Sequence, residues 1–295
     1  MRPYRSMLFV PGNKPSWIKK AVDYGADALI LDLEDSVPDQ EKISARPLVK
    51  EGLKELKALE QVCYVRINGL VTGLAFDDIE GVVCPELDGV TLPKVETIDD
   101  IKELDTLLKH LEKRMDIQEG AINISLGLET SKAMRNLYEI AISCSRITSI
   151  SLAAGPGGDA NRAIGYVWSK EGKETLYLRS KAVLDARAAG IQYPMVSSWW
   201  DIKDLEGLER DALLNRQLGF RGQVVIHPSH VPIVNKVFTP SADEIQYYKG
   251  LIVAMEEAEK KGTAAVVYEG DMVDYAMVKT AREMLDFAAS IGLEV

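Results

Sequence analysis

The chain has few histidines, few cysteines and no long apolar run, and each shortage closes off a class of function. Its three cysteines, Cys63, Cys84 and Cys144, form an odd set without CxxC spacing, which argues against a disulfide framework or a thiolate metal site. Each lies in or beside an apolar segment, so buried reduced thiols and a cytoplasmic setting are expected. Of the three histidines, His110 falls on a helix surface, while His227 and His230 are separated by two residues including Pro228. They therefore lack the i, i+4 spacing of a helical zinc site. No GxSxG elbow is present, and no GxGxxG follows the first strand, so acyl-serine chemistry and a nicotinamide cofactor have no visible seat. No segment approaches membrane-spanning length, and residues 1–10 enter a strand-and-turn pattern rather than a secretory core. Basic charge is short as well. A net charge of −10 argues against nucleic acid or an anionic membrane as the main partner, although local basic residues can still hold small anions.

What is present is an ordinary globular share of apolar residues, 46%, in a chain of 295, enough for one large α/β barrel or two small domains. Apolar runs at residues 6–10, 28–33, 62–67, 89–92, 121–128, 147–154, 192–196 and 223–226 read as strands. Helical patterns separate them, at 15–24, from about 39 to 56, at 76–79, 98–113, 131–143, 171–189 and 205–218. Eight near-continuous apolar strands alternating with helices point to an α/β fold, a (β/α)8 TIM barrel over residues 1–240. The remaining residues, 241–295, read as a C-terminal helical arm: helix 242–260, a short strand 264–268 and a final helix 271–289. So few residues cannot bury a core alone, so the arm is expected to be an attached element rather than an independent domain.

In such a barrel the chemistry sits at the C-terminal ends of the strands. Those ends carry Asp32, Glu34, Asp35, Arg66, Lys94, Glu129, Asp159 and His227. Glu129 and Asp159 follow successive strands joined by a helix, a βαβ unit whose right-handed crossover brings both acids to one edge. Two carboxylates side by side repel unless a cation joins them, and a hard divalent ion, Mg2+ first, suits oxygen ligands. Helix capping by Glu129 and a loop N-cap by Asp159 explain either acid alone, but not both. Arg66 either leaves its fork free for a substrate carboxylate or forms a buried ion pair with Asp32 or Glu34. Asp32, Glu34 and Asp35 would overload a metal already held by two acids, so they are expected behind it, accepting hydrogen bonds from metal-bound waters and Arg66. A Schiff-base route through Lys94 is disfavoured, because the neighbouring acids keep its ammonium charged.

The segments Arg5–Gly12 (RSMLFVPG), Leu31–Val37 (LDLEDSV) with Lys42 and Arg46, Val65–Leu70 (VRINGL), Leu92–Val95 (LPKV), Ile226-His227-Pro228 and Phe238–Ser241 (FTPS) carry a resemblance over nearly the whole chain. They resemble the citrate lyase β-subunit and malyl-CoA lyase family of the HpcH/HpaI aldolase superfamily. The resemblance implies a TIM barrel that cleaves or forms a carbon–carbon bond between a thioester α-carbon and a keto acid such as glyoxylate, pyruvate or oxaloacetate. It implies Mg2+ held by Glu129 and Asp159, Arg66 as carboxylate clamp, acyl-CoA substrates and a homo-oligomer, trimer or hexamer. By position, Phe9, Lys14, Lys20, Gly158, Ile226 and His227 look similar to the substrate- and coenzyme-binding set. Asp274, in a motif spanning residues 268–274, is similar to a catalytic acid or base delivered by the neighbouring subunit's arm; its ordinary alternative is a helix N-cap. Hydrolysis of malyl-CoA, or service as a citrate lyase β-subunit on an acyl-carrier thioester, are the competing activities.

Overall fold

The computed structural model describes residues 3–295. Eight parallel strands follow one another in sequence order: β1 (Ser6–Pro11), β2 (Ala28–Asp32), β3 (Val62–Arg66), β4 (Gly89–Leu92), β5 (Asn123–Leu128), β6 (Ile147–Leu152), β7 (Met195–Val196) and β8 (Gly222–Val225). Each pairs with the next, and β8 pairs back onto β1 with Gln223 opposite Ser6, so the cylinder has no open edge. The α/β barrel expected from the alternation of apolar strands and helices is the fold observed. Strands β2 and β4 are buried at every position, because one face fills the barrel and the other meets the outer helices.

The outer layer consists of α1 (Pro15–Lys20), α2 (Lys42–Lys57), α3 (Ala75–Val82), α4 (Ile98–Arg114), α5 (Ser131–Arg135), α6 (Leu137–Ala141), α7 (Asp159–Ile164), α8 (Leu176–Ala188), α9 (Leu205–Leu218) and α10 (Val231–Phe238). Helix α4 illustrates the logic. Thr97 and Asp100 close a reciprocal capping box at its start, and Ile101, Leu104, Leu108 and Leu111 form one buried stripe. The single helix expected over 131–143 is two short ones, broken at Asn136. Strand β7 is shorter than expected, since Pro194 just before it has no N–H to extend the ladder.

Phe238–Val295 belong to a second compact unit. It contains α11 (Ala242–Lys260), β9 (Val266–Tyr268), β10 (Asp271–Val273) and α12 (Tyr275–Ser290). The final helix therefore begins four residues later than expected. Glu269 and Gly270 both have positive φ, 50° and 95°, and this two-residue turn folds β10 antiparallel onto β9. Leu251, Met255, Val273, Val278 and Ala281 form an apolar cluster within this unit.

Inside the barrel, Met7, Ala28, Ile30, Tyr64, Met195 and Val224 pack as one cluster. Gly89 is the position that admits the Tyr64 ring: a Cβ there would lie 2.3 Å from Tyr64 Cε1. Gly89→Ala is expected to destabilise the protein by about 1–3 kcal/mol, since the ring must move off a close-packed wall. Gly69→Ala, at a position with open space around it, is expected to stay within about 0.5 kcal/mol of the parent. Urea unfolding of the two variants compares them.

Candidate active site

Asp32 and Arg66 are register partners on β2 and β3, so their side chains emerge side by side at the barrel mouth. Arg66 donates through Nε and Nη2 to the two Asp32 oxygens, each at 2.7 Å, and its Nη1 stands 3.1 Å from Glu34 and 3.6 Å from Asp35. Of the two roles open to Arg66 from the sequence, the buried ion pair is the one formed; one edge of its fork is taken by Asp32. The guanidinium carbon also lies 4.5 Å from the centre of the Phe9 ring. Asp32 further accepts the backbone N–H groups of Glu34 at 2.9 Å and Ser36 at 3.0 Å, which turns the chain after β2 into the mouth. Burial raises the Asp32 carboxyl, but the charge and hydrogen bonds of Arg66 outweigh it and hold it below the usual range. Arg66, although desolvated, is held above its ordinary value by Asp32 and Glu34.

Lys94 follows β4 in a left-handed backbone conformation, φ 53°, which costs a residue with a Cβ about 1 kcal/mol or more. That bend points its ammonium at Glu34 (2.8 Å), Asp159 (3.2 Å) and Asp35 (3.7 Å). Burial alone would lower its pKa, yet the hydrogen bond to Glu34 and the surrounding carboxylates raise it, so the amine stays protonated and is no nucleophile. Glu129 follows β5 directly, and Asp159 is the first residue of α7. Asp159 is paired with Lys94 and, one helical turn on, with Arg162. Glu129 accepts no hydrogen bond from any described residue; burial, reinforced by Glu34 and Asp159 against Arg66 and Lys94, pushes its carboxyl up to about 7. Across the mouth as a whole five carboxylates, Asp32, Glu34, Asp35, Glu129 and Asp159, face three cations, Arg66, Lys94 and Arg162.

Glu129 and Asp159 line two cavities that meet between them. One, about 350 Å3, includes Phe9, Arg66, Gly158 and Ile226 in its wall; the other, about 390 Å3, includes Lys94 and Arg162. Among the described residues no group of three or more Asp, Glu, His or Cys could enclose a metal. A cation here would have two protein carboxylates and would take its other donors from substrate or water, the habit of Mg2+ rather than of a caged ion.

Lys14 and Lys20 stand exposed at α1 and line neither cavity. The His227 ring turns to Ser229, with Nδ1 2.8 Å from its hydroxyl and accepting its backbone N–H at 3.2 Å, and also lines neither. Asp274 caps α12 in the C-terminal unit, its Oδ1 accepting the N–H of Ala276 at 2.9 Å and of Met277 at 3.3 Å. Arg162, Ser198 and Trp200 are among the wall residues that sequence reasoning did not single out. Trp200 lies on the loop after β7, against Gly155, where a Cβ would fall 1.8 Å from its indole nitrogen. Adjacent tryptophans separated from a strand by two residues were the available signal.

Residues 5–228 match the HpcH/HpaI aldolase/citrate lyase family. The chain belongs to that family. A citrate lyase subunit beta of Leuconostoc mesenteroides subsp. cremoris is 37% identical over 96% of this chain and 93% of its own length. A (3S)-malyl-CoA thioesterase of Cereibacter sphaeroides is 32% identical over 98% of this chain and 96% of its own. Among solved structures, the CitE protein of Mycobacterium tuberculosis in complex with magnesium, acetoacetate and coenzyme A superposes with a TM-score of 0.75 at 26% identity, covering 97% of this chain and 98% of that one.

The raised carboxyl of Glu129 has a defined sign. The folded state holds its proton above the ordinary 4.5, so the contribution to stability is full below pH 4.5 and is lost as pH rises through about 7. Chelator-treated protein is expected to lose about 1–3 kcal/mol across that window, and Glu129→Gln to flatten the loss. Thermal melts against pH measure both.

Proposed function

We propose that this chain is a Mg2+-dependent carbon–carbon lyase that cleaves, or in reverse forms, a 3-hydroxyacyl-CoA thioester of the malyl, citramalyl or citryl type. The observation that carries the reading is the junction of two cavities on Glu129 and Asp159, beside the Arg66–Asp32 pair. The likeness to a protein solved with magnesium and coenzyme A supports the same choice. Glu129 and Asp159 would hold the ion. When bound, Mg2+ supplies Lewis acidity at the oxygen of the scissile centre.

The protein's own residues supply the rest. Arg66 lines the cavity with Nη1 beside Glu34 and Asp35, Asp32 fixes its orientation through the other edge of the fork, and a substrate carboxylate would meet the Nη1 edge. Lys94 stays charged and steadies Asp159 and Glu34. In the cleavage direction the hydroxyl gives up its proton, the carbon–carbon bond breaks, and the thioester enolate takes a proton. Asp274, delivered by the arm of a neighbouring subunit in a homotrimer or hexamer, is the proposed acid, and acts as base in condensation. Lys14, Lys20 and His227 would meet the coenzyme outside the two cavities. Unpaired Cys63, Cys84 and Cys144 fit a reducing cytoplasm, and no helix among the described residues is long and apolar enough to cross a membrane.

Purified protein supplied with Mg2+ and malyl-, citramalyl- and citryl-CoA is expected to release glyoxylate, pyruvate or oxaloacetate, and a chelator is expected to abolish the release. Free malate without keto acid would replace the lyase by a hydrolase, the activity named for the Cereibacter relative. Turnover only on an acyl-carrier thioester would make the chain a complex subunit. Glu129→Gln and Asp159→Asn are each expected to lower kcat/KM by at least about 10³-fold. Asp274→Asn is expected to lower kcat by about 10²-fold or more, with keto-acid binding retained.

A further inference from the structure

The two cavities differ in what they offer a ligand. On the Arg66 side the wall is largely apolar, with Phe9, Ala153, Trp200 and Ile226, and Arg66 is already matched by Asp32 and Glu34. On the other side the charged groups are Lys94, Glu96, Asp100, Glu129, Asp159 and Arg162. Most of these are committed. Glu96 pairs with Lys132 at 2.7 Å, and Asp100 accepts the N–H groups of Glu96 at 2.8 Å and Thr97 at 2.9 Å. Lys94 is held by Glu34 and Asp159. Arg162 is the exception: its Nη2 meets Asp159, the rest of its fork has no partner among the described residues, and its side chain is 79% exposed. Once Glu129 and Asp159 turn to a cation, Lys94 keeps Glu34 and Asp35, and the Arg162 guanidinium is the cavity's remaining anion receptor.

We propose that this cavity receives a second carboxylate, so that Arg162 selects a dicarboxylic 2-oxo acid over a monocarboxylic one; the inference rests on the lyase reading. The acid's 1-carboxylate and carbonyl would occupy the junction, its distal carboxylate would meet Arg162, and the thioester would lie along the apolar side. A charged hydrogen bond of this kind, partly open to water, is worth roughly tenfold in affinity.

Malate and lactate share the chelating 2-hydroxy carboxylate and differ in the second carboxyl group, and neither decomposes during a titration. With Mg2+ present, calorimetry of the full chain is expected to give about tenfold tighter binding of malate. Arg162→Met should bring the malate-to-lactate ratio close to one, and Arg162→Lys should restore part of the preference. Because the readout is a ratio, any disturbance of Asp159 by the substitution cancels. Equal affinities in the parent protein, or a ratio untouched by Arg162→Met, would overturn the assignment while leaving the lyase reading intact. Failure of both acids to bind in the presence of Mg2+ would overturn the two together.

Discussion

The site depends on an uneven balance of charge in a confined space. Arg66 and Lys94 are each held by more than one carboxylate, and Arg162 leans on Asp159, yet half-buried Glu129 has no hydrogen-bond donor among the described residues. A proton on Glu129 corrects the imbalance up to about pH 7, and a divalent cation takes over that role once the proton is lost. The same constraint explains why Lys94 tolerates a left-handed backbone. The bend costs local energy, and it is offset by an ammonium group placed among Glu34, Asp35 and Asp159, which would otherwise repel one another.

The barrel positions these groups through register rather than through long-range coincidence. Pro11, Asp32 and Arg66 lie opposite one another across β1, β2 and β3, so an acid and a base reach the mouth at one height. Gly127 continues the theme on β5: a Cβ there would meet Glu129 Oε1 at 3.1 Å and the backbone of Pro93 at the same distance. The carboxylate thus has room to sit back against β4.

Much of this was legible in the amino-acid order because the signals are local. An apolar strand that stops at an acid can be read without knowing its neighbours, and eight such strands alternating with helices leave few alternatives to a closed barrel. The juxtaposition of Glu129 and Asp159 followed from the handedness of one crossover. What escaped depends on loop conformation. Arg162 sits one helical turn past Asp159 on a six-residue helix, and Trp200 lies in an irregular segment, so neither carries a periodic signature. The partner of Arg66 was underdetermined, since Asp32, Glu34 and a ligand all suit a guanidinium. The turn at Glu269-Gly270 was missed because glutamate replaces the asparagine or aspartate that usually announces two successive positive φ values.

Trp200 gives the molecule an optical property of its own. Its indole is half open to water on the cavity wall, whereas Trp199 beside it is buried and Trp17 and Trp168 line neither cavity. A molecule entering the apolar side strips solvent from this one ring and shifts its emission to the blue. Occupancy of the site can therefore be followed by fluorescence in the unlabelled chain, and the speed of filling resolved by stopped flow.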